Sequence, residues 1–246
     1  VNELPLRSRL REGAKLRLRK RLGALGLSIG RDPYTNRLVR ALDRQGIDTV
    51  LDIGANVGQY GALLRAAGFG GRIVSVEPLQ TAFRQLEVRS RRDPSWVIVN
   101  KGVGAAPGSV TMNISANSYS SSVLAMEAAH LAADPDSHVV GTQVTELTTV
   151  AVLAEEHQID PARCLLKIDT QGFESQVLEG AGDLLDQFAG VQLELSFIEL
   201  YTGQELFDPL VAKVRGHGME LWSIETGISD QHGRLLQCDG LFLRPS

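Results

Sequence analysis

The chain has 246 residues, a net charge of −4, 43% hydrophobic and 22% charged residues, enough for one large domain or two small ones of ordinary globular balance. No run nears 18 consecutive apolar residues and no apolar stretch follows the basic start, so neither a membrane-spanning helix nor a secretory signal is expected. Two cysteines, Cys164 and Cys238, make no disulfide framework, and a reducing cytoplasm is the expected location.

Residues 1–31 hold nine Lys/Arg against Glu3 and Glu12, a local charge of +7 that leaves −11 for the remainder. Leucines recur among the arginines, so 1–40 reads as a basic helical N-terminal appendage, with Gly23, Gly26 and Gly30 breaking the helix before Asp32. Such a segment is either a capping helix with a solvated basic face or a contact for an anionic surface, including peripheral contact with a membrane. A basic segment on an acidic body does not make a nucleic-acid-binding domain by charge alone, so no nucleic-acid partner is expected.

From residue 48 short apolar runs alternate with helical stretches. Strands are expected at 49–53, 72–76 and 96–99, with helices at 59–67 and 81–91. Residues 109–114 and 141–148 alternate like antiparallel or edge strands. Between them, 115–138 is rich in Ser, Asn, Ala and Asp and reads as an irregular inserted loop over the sheet's edge, the kind of segment that often binds ligand. A helix at 149–156 precedes strands at 164–168, 191–197, 220–225 and 241–243, with helices at 173–178 and 208–216. Turn residues at 230–233 imply that the chain closes on an antiparallel hairpin. The whole predicts an α/β fold, a mostly parallel doubly wound sheet with helices on both faces, over residues 41–246.

The strongest local signal is Val50-Leu-Asp-Ile-Gly-Ala-Asn-Val-Gly58, followed by Gln59 and Tyr60. A strand delivers Asp52, Gly54 makes a tight turn that lets a ligand approach the backbone, and Asn56 tolerates positive φ. Gly58 permits close packing as the next helix opens. The absence of Gly-Lys-Ser/Thr disfavours a nucleoside triphosphate. Glu77 comes 25 residues after Asp52, at the end of the next strand, where doubly wound folds place an acid that accepts ribose hydroxyls. A carboxylate at the mouth of the loop, Asp52, suits the ammonium of an amino acid rather than a diphosphate. Amino acid, ribose and adenine together are S-adenosylmethionine.

Asp52-Ile-Gly-Ala-Asn-Val-Gly-Gln-Tyr60 and Val76-Glu77-Pro78 resemble the first motifs of the FkbM family of S-adenosylmethionine-dependent methyltransferases. Gly102-Val-Gly104 with Gly108, Ser120-Ser-Ser122, Leu166-Lys-Ile-Asp-Thr-Gln-Gly-Phe-Glu174, Leu178-Glu-Gly-Ala181, Leu193-Glu194 and Asp239-Gly-Leu-Phe-Leu243 continue the resemblance in order, over roughly residues 48–244. It implies a class I methyltransferase fold and transfer of a methyl group to a hydroxyl of a sugar, glycolipid or secondary metabolite. It places the cofactor on Asp52, Gly54, Ala55, Asn56, Gly58, Gln59, Tyr60, Glu77, Pro78 and Gly102. One departure is Glu146-Leu147-Thr148 where the family tends to have Thr-Leu-Asp; Thr148 is expected to cap the helix that follows.

Lys167 and Asp169 occupy alternate positions of a strand, so their side chains point the same way, about 6.6 Å apart. They read as a structural ion pair or as a pair in which Asp169 faces the methyl donor. Glu174 falls in the first turn of a helix, a common place for an acid, and is also a candidate substrate contact. Glu194 lies inside an apolar strand near the same edge and reads as the residue that orients the acceptor hydroxyl. Asp169 and Glu194 are the candidate catalytic pair, ranked above the loop histidines His130 and His138 as proton acceptors because strand ends are rigid. Ser120, Ser121, Ser122 and Glu199 complete the expected substrate contacts. No histidine pair or Cys/His spacing suggests a metal. An NAD-dependent oxidoreductase and a non-catalytic nucleoside-binding module are the competing readings; the missing three-glycine fingerprint opposes the first.

Overall fold

In a computed structural model of the protein, residues 33–245 are described. Helix α1 (Pro33–Arg44) leads into β1 (Thr49–Ile53), α2 (Gln59–Ala66), β2 (Arg72–Val76), α3 (Gln80–Ser90) and β3 (Trp96–Val99). The middle of the chain forms β4 (Gly102–Val103), β5 (Gly108–Ser115), α4 (Ala128–Ala133), β6 (Val139–Thr148) and α5 (Val150–Glu156). The last part forms β7 (Cys164–Ile168), α6 (Glu174–Glu179), β8 (Gly190–Ser196), α7 (Phe207–Gly216), β9 (Glu220–Thr226) and β10 (Gln237–Leu243).

Seven strands make one sheet in the order β3-β2-β1-β7-β8-β10-β9, parallel except for β10, which runs antiparallel to both neighbours. The strands are apolar on both faces because helices cover both. Leu51, Ile53, Leu166 and Ile168 pack with Leu153 of α5, Val177 of α6 and Leu210 and Val214 of α7. Val50, Leu165 and Ile73 pack on the other face with Leu38 and Leu42 of α1, Leu64 of α2 and Leu86 of α3. This is the expected fold, helices on both faces of a class I methyltransferase sheet with its antiparallel C-terminal pair. Among the described residues no helix is long and apolar enough to cross a membrane.

Four details differ from the sequence expectation. Helix α1 runs across the boundary placed at residue 40, and Tyr34, Leu38, Ala41 and Leu42 are buried in the core, so this helix belongs to the domain and not to an appendage. The rest of that appendage lies outside the described residues. Strand β10 begins at Gln237, not at 241, because Asp239 and Gly240, turn-like in isolation, are paired on one side with Glu194 and Leu193 and on the other with Glu225 and Ile224. Residues 115–138 are not irregular: they contain α4, a single turn at Pro135–Ser137 and bridges from Ser122 to Asn113 and from Met126 to Tyr201. They are carried by a second sheet, β4-β6-β5, in which β5 and β6 pair antiparallel as expected. Finally, Thr149 rather than Thr148 caps α5, its hydroxyl accepting from Val152 N at 3.2 Å.

Candidate active site

Strand order reverses between β1 and β7, because β1 continues to β2 on one side while β7 continues to β8 on the other. In open α/β sheets ligands bind beyond the carboxyl ends of the strands at such a point. The loops after β1 and β7 meet there. Gly54 turns with φ 78°, and a Cβ on it would lie 1.8 Å from the Asp169 carbonyl oxygen, so only glycine allows the two loops to touch. Gly58, at φ 82°, opens α2 where a Cβ would lie 2.7 Å from Leu86 Cδ1, which is the close packing expected of it.

Between these loops, β2 and the segment 117–123 lies a cavity of about 430 Å³. One wall is made by the loop after β1 and the end of β2. Asn56, at φ 48°, donates its backbone N–H to Glu77 Oε2 at 2.7 Å, and Leu79 N donates to Glu77 Oε1 at 2.8 Å. The Glu77 carboxylate is therefore buried and fixed by two backbone donors instead of being a solvated strand end. Burial dominates these two hydrogen bonds and pushes its pKa up to about 7. Gly54, Asn56, Gln59, Glu77, Pro78 and Gly102, all expected on the cofactor, line this cavity.

A second wall carries Asp169 and Glu194, together with Ser120 and Ser121. The expected Lys167–Asp169 pair forms at 3.2 Å, and Asp169 also lines the cavity. Burial works against the Lys167 ammonium, but the Asp169 and Asp52 carboxylates outweigh it and raise its pKa. Gln171 joins the acids: its Nε2 donates to Asp169 Oδ1 at 3.0 Å and to Glu194 Oε2 at 2.7 Å, and its Oε1 accepts from the Tyr201 hydroxyl at 2.6 Å. Burial, then the charges of Asp169, Glu174 and Asp239, hold the Glu194 pKa well above the carboxylate range. Burial likewise pushes Asp239, paired with Glu194 across β10, up to about 7.

Seven expected contacts stand away from the cavity lining. Asp52 is fully buried inside the sheet, accepting from Ser75 Oγ at 2.9 Å and paired with Lys167 at 3.3 Å, so it does not meet an ammonium at the mouth of the loop. Ala55 is packed into the core, and Gly58 serves helix packing. Tyr60 turns under the sheet, its hydroxyl donating to Gln192 Oε1 at 2.7 Å and its ring facing Lys167 Nζ at 5.2 Å. Ser122 is used internally, donating to Gln171 O at 2.6 Å. Glu174 Oε1 accepts from Thr170 N, Thr170 Oγ1 and Gly172 N, which clamps the loop after β7; burial pushes its pKa up to about 7. Glu199 is exposed and accepts from Gly203 N. Asp134 and Asp136 are engaged by loop hydrogen bonds, and among the described residues no group of three or more His, Cys, Asp or Glu is placed to hold a metal ion.

Sequence reasoning missed Gln171, Tyr201, Asn117 and Phe173. Gln171 had one available signal, its place inside the Asp169-Thr-Gln-Gly stretch. Tyr201 had none, since a buried tyrosine is read from its surroundings alone.

The model of the FkbM methyltransferase domain matches residues 52–221. The chain belongs to the FkbM methyltransferase family. S-adenosylmethionine is the methyl donor of this family, and membership removes the NAD-dependent alternative. No curated protein matches the chain. Among solved structures, the METTL16 methyltransferase domain is similar at 10% identity and a TM-score of 0.47, over 84% of this chain and 66% of that one. The chain thus spans just under two thirds of that domain's length. The magnesium protoporphyrin IX methyltransferase of Synechocystis, solved with bound S-adenosylmethionine, is similar at 11% identity and 0.44, over 86% of this chain and 78% of that one. The 1,6-didemethyltoxoflavin N1-methyltransferase of Burkholderia thailandensis gives 11% and 0.44, over 100% and 93%.

Proposed function

We propose that this FkbM domain transfers the methyl group of S-adenosylmethionine to a hydroxyl oxygen of a sugar, glycolipid or secondary metabolite. The observation that carries the reading is the pairing of two unlike walls across one cavity. The Glu77 wall offers a fixed carboxylate for a ribose diol, beside apolar Pro78, Val103, Met112 and Leu147 that suit a flat base. The Asp169–Glu194 wall offers acids to a cationic sulfonium and to a neutral polar acceptor. The donor set therefore fits the cofactor, with Gly54, Asn56, Gln59, Glu77, Pro78 and Gly102 holding it. When bound, S-adenosylmethionine supplies an electrophilic methyl group.

The residues of the chain then act by placement. Asp169 and Glu194 border the acceptor and fix where it sits, Gln171 keeps the two carboxyl groups at one separation, and the segment 117–123 closes the cavity against water. Ser120 and Ser121 face the acceptor. Among the described residues Lys101 is the one cation in the cavity lining, against the acids Glu77, Asp134, Asp169 and Glu194. That balance favours an uncharged polyol and disfavours nucleic acid, whose binding rests on neutralised phosphates. The basic segment 1–31 is assigned the task of keeping a lipid-linked acceptor, or an anionic membrane surface, close to residues 41–246.

The test is transfer of tritium from S-adenosyl-[methyl-³H]methionine to a panel of methyl glycosides, with single-stranded RNA and a primary amine as comparisons. The reading expects label in an alkali-stable ether of a glycoside. Label in RNA or amine alone overturns it.

A further inference from the structure

Resting on the O-methyl reading, we propose that the proton of the acceptor hydroxyl leaves through a Ser120–His130 relay, with His130 as the final base. Ser120 lines the cavity, and its Oγ lies 3.1 Å from His130 Nε2. The same Oγ accepts from Asn117 Nδ2 at 3.1 Å. With hydrogen on His130 Nδ1, Nε2 accepts the serine hydrogen, and the second Oγ lone pair is open to an acceptor hydroxyl in the cavity. An acceptor hydroxyl placed there donates to Ser120.

The ranking of strand-end acids above His130 rested on rigidity, and the structure removes that distinction. His130 is as buried as the strand core, its ring meets the Tyr201 ring edge-on at 5.1 Å, and its backbone is tied to Glu127 O and Asp134 N. The Tyr201 hydroxyl lies 3.1 Å from Ser120 O, so one tyrosine braces both members of the relay. His138, by contrast, is exposed and does not line the cavity.

The acids are poorly set to take a proton. Asp169 already accepts from Lys167 and Gln171, one on each oxygen, and Glu194 already accepts from Gln171. Burial lowers the His130 pKa against the opposing charge of Asp134, which favours the neutral imidazole at pH 7. The titratable groups facing it are Asp134, which reaches Ser120 through Asn117 Nδ2 at 2.7 Å, and Tyr201, whose pKa burial raises far out of range.

The step balances. The acceptor oxygen bonds to the methyl carbon while the sulfur keeps the electron pair of the broken carbon–sulfur bond. The acceptor's O–H bond breaks toward Ser120 Oγ, and the original serine proton moves to His130 Nε2. Serine ends neutral and the imidazole ends as imidazolium, close to Asp134. Nδ1, buried and without a hydrogen-bond partner among the described residues, carries the other hydrogen throughout.

Two measurements test the relay. Long-range ¹H–¹⁵N spectra of the full chain labelled at histidine should show His130 with hydrogen on Nδ1 and a lone pair on Nε2. The reverse tautomer overturns the proposal with no activity assay at all. Next, kcat is measured for tritium transfer to the methyl glycoside that the wild type labels best. Ser120→Ala and His130→Gln should lower kcat by about 10²–10⁴-fold while keeping wild-type affinity for S-adenosylhomocysteine. Ser120→Thr should restore most of the rate, and the acid limb of the kcat profile should vanish in His130→Gln. Rates within twofold of wild type, or an unchanged acid limb, overturn the relay alone. Failure of the wild type to label any hydroxyl overturns the O-methyl reading and the relay with it.

Discussion

The two walls of the cavity hold their acids in different ways. Glu77 is fixed by backbone N–H groups from Asn56 and Leu79, 21 and 2 residues away. Glu194 is fixed by the Gln171 side chain, which in turn leans on Tyr201, and Tyr201 reaches Ser120 across 81 residues. The first wall is turn geometry written in neighbouring residues. The second is a side-chain network assembled from three distant segments. The contrast predicts that damage to the first wall shows in cofactor affinity and damage to the second in turnover.

The largest expected effect lies beneath both walls. Lys167→Met leaves Asp52 fully buried without its ion-pair partner and should cost about 3–5 kcal/mol of stability. Urea unfolding with a midpoint equal to wild type would show that the buried pair is not what holds the two loops together. Gln171→Leu comes next. It removes donors from Asp169 and Glu194 and an acceptor from Tyr201, and should cost about 1–3 kcal/mol for the groups left unpaired. Turnover should fall in this variant with cofactor affinity close to wild type; the opposite split would merge the two walls into one.

A pH series sharpens the comparison on the Glu77 side. This carboxyl has its pKa raised from 4.5 unfolded to about 7 folded, so the folded state binds the extra proton. Its contribution to stability is fully present below pH 4.5 and is lost as the pH rises through 7. Without cofactor, Glu77→Gln should therefore show a smaller fall in Tm between pH 5 and pH 8 than wild type, and equal slopes would remove Glu77 from the titrating set. The smallest effect is expected at Glu199, exposed and outside the cavity: Glu199→Ala should stay within about 0.5 kcal/mol of wild type in stability and within about twofold in transfer.

The same contrast explains what was legible in the sequence. The alternation of apolar runs and helices located the parallel inner strands of the main sheet, because strands buried on both faces leave a strong pattern, while the antiparallel β10 was cut short. The glycine turn, Asn56 and Glu77 were legible because backbone geometry demands particular residues at particular places. Asp52 and Tyr60 were misplaced because a motif says which residues occur and not which way they face: Asp52 sits two positions before Gly54, on a strand whose side chains alternate. Glu174 and Ser122 looked like ligand contacts but spend their oxygens on the loop after β7. Tyr201 carried no signal and His130 ranked below the strand-end acids, since what makes them notable is a contact between segments 71 residues apart.

The most direct test of the division between the walls is a calorimetric titration of S-adenosylhomocysteine into wild type, Glu77→Ala and Ser120→Ala. Hydrogen bonds to a charged group contribute about 1.5–3 kcal/mol each. The account predicts that Glu77→Ala weakens binding by about tenfold or more, while Ser120→Ala binds as wild type does. Unchanged affinity in Glu77→Ala, or an equal loss in both variants, would contradict it.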